Sequence, residues 1–112
     1  EFSEYINAGK MQALAVTSGA RLKGIKIPTL KELGYNVEIG NWRGVYGAPG
    51  ITAAQRKALT DLLLKAAKSK SWAADLEKNN WTAAVLSGQE FEDFVDNDFA
   101  SLRATMVKAG MI

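Results

Sequence analysis

The chain has 112 residues, 47% of them hydrophobic and 23% charged, with a net charge of +2. That composition suits one modest globular domain. The small net charge argues against a nucleic-acid partner, no apolar run reaches the length of a membrane span, and the absence of cysteine and histidine removes thiol nucleophiles, imidazole bases and most zinc sites.

In chain order, Glu1-Phe2-Ser3-Glu4 is neither an initiator methionine nor a signal peptide. Tyr5-Ile6-Asn7-Ala8-Gly9 reads as the end of a helix with Gly9 as its cap. Met11 to Ser18 is a short apolar run beside glycines, the pattern of a buried strand. Residues 19–27 form a loop carrying Arg21, Lys23 and Lys26. Pro28 opens a compact helical signal in which Thr29 and Glu32 make a capping box and Gly34 stops the turn. Val37 and Ile39 alternate with Glu38 as in a half-buried strand.

An aromatic, glycine-punctuated stretch follows, Asn41-Trp42-Arg43-Gly44-Val45-Tyr46-Gly47-Ala48-Pro49-Gly50, after which the texture becomes helical. Thr52 and Gln55 repeat the capping box. Ala58, Leu59, Leu62, Leu63, Ala66 and Ala67 recur at helical spacing, on a helix ending near residues 68–70. Ser71 is expected to cap a short second helix bearing Trp72 and Leu76, ended by Asn79-Asn80. Trp81 to Leu86 reads as extended. Ser87-Gly88-Gln89-Glu90 looks like a third capping box opening the longest helix, with Phe91, Phe94, Val95, Phe99, Leu102 and Met106 at core spacing and Gly110 as its cap.

Few residues carry chemistry. Glu90, Glu92, Asp93, Asp96 and Asp98 lack the spacing of a calcium loop and read as a solvated, dipole-matched helix start. Thr17-Ser18-Gly19 ends the first strand, where open α/β sheets face their ligands and hydroxyls and amides can hold a carboxylate; a plain turn fits the same residues. Trp42 either lines a cleft or packs in a core, and Arg43 reads as a surface residue. The glycines of residues 40–50 lack the Gly-Lys-Ser/Thr of a phosphate loop. Neither a metal, a cofactor nor a catalytic group is indicated.

Taken together, Gly9-Lys10-Met11-Gln12-Ala13-Leu14-Ala15-Val16-Thr17-Ser18, Arg21, Ile27-Pro28-Thr29-Leu30-Lys31-Glu32-Leu33-Gly34-Tyr35, Trp42-Arg43-Gly44-Val45-Tyr46-Gly47-Ala48-Pro49-Gly50, Ser87-Gly88-Gln89-Glu90-Phe91 and Lys108-Ala109-Gly110 resemble, in order and spacing, the tripartite tricarboxylate transporter receptor family. This is also called the Bug family of periplasmic solute-binding proteins. Ala48-Pro49-Gly50-Ile51-Thr52 departs from it in lacking a second proline. The resemblance implies an α/β fold, the C-terminal part of a two-lobed periplasmic-binding-protein-like architecture that is helix-rich after residue 51. Residues 1–40 would be a piece of one lobe, 41–50 an interlobe crossing, and 51–112 the helices completing the other.

It further implies a periplasmic receptor, not an enzyme, that holds a small organic di- or tricarboxylate and hands it to membrane transporter subunits. On that template Thr17, Ser18, Trp42 and Gly44 lie near the cleft. The family's N-terminal lobe sequence is missing, so the chain is expected to be a fragment that binds weakly or not at all by itself. Its open strand edges lead to an expectation of self-association or element exchange. A reading from a different class is a self-contained helical interaction module, docking a partner on the Phe91–Met106 face.

Overall fold

Four helices carry the regular structure among the described residues, 2–112, of a computed structural model of the chain: α1 (Ser3–Asn7), α2 (Ala53–Ala67), α3 (Lys70–Lys78) and α4 (Gly88–Lys108). The chain divides into two units, Glu1–Gly44 and Val45–Ile112.

In the first unit, α1 ends as the sequence suggests. The N–H of Lys10 reaches back to the carbonyl of Tyr5 at 2.9 Å past Gly9, which sits at φ 69°. The expected strand over residues 11–18 is not formed as a strand. What remains is a single parallel bridge between Val16 and Thr29. The Val16 N–H donates to Pro28 O at 2.9 Å and the Leu30 N–H to Val16 O at 3.0 Å. On the other side the Ile39 N–H donates to Thr17 O at 3.0 Å, so the expected strand at residues 37–39 also shrinks to one contact. A strand needs a run of partners, and here each neighbour lies alongside for only a residue or two. Three short segments thus make a minimal layer with residues 16–17 in the middle.

The capping box at Thr29 is real. The Glu32 N–H donates to Thr29 Oγ1 at 3.1 Å, and the Thr29 N–H donates to Glu32 Oε2 at 2.8 Å. It caps a single turn, because Gly34 at φ 90° ends it and the Tyr35 N–H closes onto Leu30 O at 2.9 Å. A side chain at that φ would be strained. Thr29 is 1% exposed, the sole buried side chain among the described residues.

The second unit is helical. Thr52 caps α2 with the full box to Gln55. Two residues separate α2 from α3, and the cap of α3 is Ser69, whose hydroxyl accepts from the Trp72 N–H at 3.2 Å. Ser71, the expected cap, lies inside the helix as its second residue, past the position where a side chain can cap the start. α3 ends at Lys78, and two residues on, Asn80, the non-glycine residue with positive φ (54°) among the described residues, turns the chain so that the Trp81 N–H bonds Leu76 O at 2.8 Å. The expected box at Ser87 does not form. Ser87 makes no side-chain cap, and Gly88 turns the backbone to φ 59° between them, which carries the hydroxyl off the line to the third amide. Trp81 to Leu86 is non-helical and pairs with no strand among the described residues.

Helix α2 packs against α3. Its half-buried positions are Thr60, Leu64 and Ala67, while Leu59, Leu62 and Leu63 of the expected apolar face are exposed. On α4, Phe91, Phe94 and Val95 are half-buried, whereas Phe99 and Leu102 are 67% and 54% exposed. The Tyr46 and Phe91 rings lie 5.8 Å apart at 45°, and Arg56 pairs with Glu92. No hydrophobic side chain among the described residues is fully buried. The expected apolar faces are thus covered only in part: on α2 Ala67 alone of the expected positions is half-buried, and on α4 the covered positions are those of its first turns.

Candidate carboxylate-binding site

The layer of the first unit positions the candidate residues. Thr17 stands on its middle segment, and its hydroxyl donates to Ile39 O at 2.9 Å while its carbonyl accepts from the Ile39 N–H. These two bonds lock residue 17 to the segment that leads, three residues later, into Trp42. Ser18 Oγ donates to Ala20 O at 2.7 Å, shaping the turn out of the layer. Both hydroxyl protons are therefore spent on backbone carbonyls. In this arrangement the hydroxyls could still accept a bond, but an anionic ligand needs donors, which here must come from amides. Trp42 is half-buried and Gly44 exposed. Arg43 folds back on its neighbours, with Nη1 2.6 Å from Asn41 Oδ1.

Two charged pairs were not legible as such in the sequence. Arg21 Nε donates to both Glu32 oxygens, at 2.9 and 3.0 Å, so Arg21 is committed to the capping turn rather than offered to a ligand. Lys31 pairs with Glu38, and the Glu38 carboxylate covers Gly19: a Cβ there would lie 2.6 Å from Glu38 Oε1. The alternation of Glu38 with Val37 and Ile39 places it on the polar side of the segment, but nothing local says which loop it covers.

The Glu32 carboxyl is held below the usual carboxylate range, first by the N–H of Thr29 and then by the Arg21 guanidinium. A value lower in the folded chain than in the unfolded one means that the contribution is whole above the ordinary glutamate range. It is lost as pH falls through the lowered folded value. The Thr29 amide shift, followed by NMR, is expected to titrate with a midpoint below that of an unperturbed glutamate. A midpoint at the ordinary value would show that the cap does not hold in solution.

In the second unit Glu92 is paired with Arg56 and Asp93 accepts from Gln89 Nε2 at 2.9 Å. No group of three carboxylates among the described residues is placed to hold a metal ion, and no helix among them is long and apolar enough to cross a membrane.

The family model described as tripartite tricarboxylate transporter family receptor matches residues 1–111. The chain belongs to that family. Its members are periplasmic solute-binding receptors of tripartite transporters with a periplasmic-binding-protein-like fold, and they act by binding rather than by catalysis. The family implies a small organic acid as ligand and transporter components as partners. No curated protein and no solved structure matches the chain. Among the described residues the structure is helical with almost no strand, so the expected α/β pattern is not formed in it.

Proposed function

We propose that the chain is part of a receptor that captures a small di- or tricarboxylate between two lobes, closes about the segment 41–50, and delivers its cargo to membrane transporter subunits. The family match over residues 1–111 carries this reading. Residues 1–40 act as a piece of one lobe and 51–112 as helices of the other. Thr17, Ser18, Trp42 and Gly44 lie at the ligand, the first two through backbone amides since their hydroxyl protons are engaged. The lack of any fully buried hydrophobic side chain among the described residues supports a division of labour in which this chain supplies some of the binding surface. Binding by the chain alone is therefore weak.

Weak binding calls for a residue-resolved test. Adding citrate, succinate or a related acid at about 10 mM, well above a Kd near 1 mM (about 4 kcal/mol), is expected to shift the amides of residues 17, 18, 42 and 44 saturably. Shifts scattered over the chain, or none with any acid, would remove the assignment. The same titration tests the charge over Gly19. An incoming carboxylate meets Glu38 there, so Glu38→Gln is expected to tighten binding roughly threefold, the scale of an exposed charge interaction.

The exposed Phe99 and Leu102 favour a second reading, a helical interaction module in residues 51–112. Cooperative unfolding of that segment alone, followed by circular dichroism, would support it.

A further inference from the structure

The C-terminal half of α4 carries a seam that repeats at intervals of four and three: Val95, Phe99, Leu102, Met106 and Ala109. Val95 is half-buried, and Phe99, Leu102 and Met106 are 67%, 54% and 36% exposed. Successive steps of four and three keep all five within a stripe less than a third of the helix circumference wide, about 21 Å long. Such a stripe is the surface on which one helix packs along another.

Charge decides the occupant and its direction. Residues 90–98 hold five acidic side chains and no basic one, while residues 99–112 hold Arg103 and Lys108 and no acidic one. Two copies of α4 laid parallel would bring the acidic halves and the helix dipoles into register. Laid antiparallel, each acidic half meets the basic half of the other. A two-fold axis near residue 100 then stacks Phe99 on Leu102 of the second copy and Val95 on Met106. The same axis sets Asp96 beside Arg103 along one flank and Asp98 beside Thr105 along the other. Asp96 and Arg103 are exposed and make no ion pair among the described residues.

The surface to be covered is the exposed seam itself, Phe99, Leu102 and Met106, whose apolar side chains suit the core of an interface.

We propose that this chain pairs with a second copy of itself through an antiparallel contact of α4 about a two-fold axis, with Phe99 and Leu102 at its centre and Asp96 facing Arg103 at its flank. The seam is two heptads long, so the pair is in concentration-dependent exchange with monomer. This contact stands independently of ligand binding, since it uses none of the residues assigned to the carboxylate.

Sedimentation equilibrium of the full chain up to about 200 µM, a range that captures micromolar affinities, is expected to show a monomer–dimer equilibrium. Leu102→Glu is expected to raise the dissociation constant about tenfold or more at unchanged helicity. At low salt Asp96→Lys and Arg103→Glu are each expected to weaken the dimer roughly threefold, and the double variant to restore it. A monomer at every concentration overturns the proposal, as does an oligomer that survives Leu102→Glu, which would mean element exchange elsewhere. Charge variants without mutual rescue overturn the antiparallel register.

Discussion

Replacing Thr29 by Ala is expected to release the layer of the first unit while leaving α2, α3 and α4 untouched. Thr29 is the buried joint of that unit: its hydroxyl accepts from the Glu32 N–H, its own N–H is held by Glu32, and its neighbours Pro28 and Leu30 supply both bonds to Val16. Loss of a cap oxygen costs about 1–2 kcal/mol, and the Glu32 N–H would be left without its partner. About 2 kcal/mol corresponds to roughly 30-fold in a local opening equilibrium. Amide exchange at Val16, Leu30 and Glu32 should accelerate by about that factor, with exchange in α2 unchanged. Thr29→Ser, which keeps the oxygen, should retain most of the protection. Unaltered exchange in the alanine variant would show that the bridge holds without its cap.

The second large effect is expected at Phe91. Its ring packs against Tyr46 at 5.8 Å and is half-buried near the start of α4. A fully buried Phe replaced by Ala costs about 3–5 kcal/mol. With partial burial and the contact with the Tyr46 ring, about 2 kcal/mol is expected for Phe91→Ala. Urea unfolding followed by helix signal should show that loss, and the Tyr46 ring protons should move towards random-coil positions. Phe91→Leu, which keeps apolar volume and drops the ring contact, should cost about 1 kcal/mol. If alanine and leucine cost the same, packing volume at residue 91 is not what holds the helix start.

What the sequence revealed follows from how far each signal reaches. The boxes at Thr29–Glu32 and Thr52–Gln55 span three residues and form as expected. The stops at Gly9, Gly34 and Gly110 are equally local. Ser87 satisfied the same pattern but was overruled by the backbone of Gly88, a choice of φ that only glycine leaves open. Ser71 and Ser69 compete for one helix start, and the amide of Trp72 selects the earlier. The run from Met11 to Ser18 shows the opposite case. Its apolar pattern calls for neighbours on both sides, and pattern alone cannot supply them. Thr17 and Ser18 are candidates because they end that run; Ser18 gives its proton to Ala20 two residues on, but the carbonyl that takes the Thr17 proton and the carboxylate over Gly19 come from residues distant in the chain.

The order of the two bonds on either side of residues 16–17 has a kinetic consequence. Val16 meets Thr29 across 13 residues, whereas Thr17 meets Ile39 across 22. Once the capping turn has formed and the nearer contact has closed, the chain from Leu30 to Ile39 has only ten residues to search. Loop-closure entropy grows slowly with length, and closing about ten residues takes tens of nanoseconds. The first unit should therefore zip from the turn outward, with the Ile39 bonds last to form and first to open. The route into Trp42 is thus the most readily loosened part of the layer, set free without disturbing the Thr29 joint.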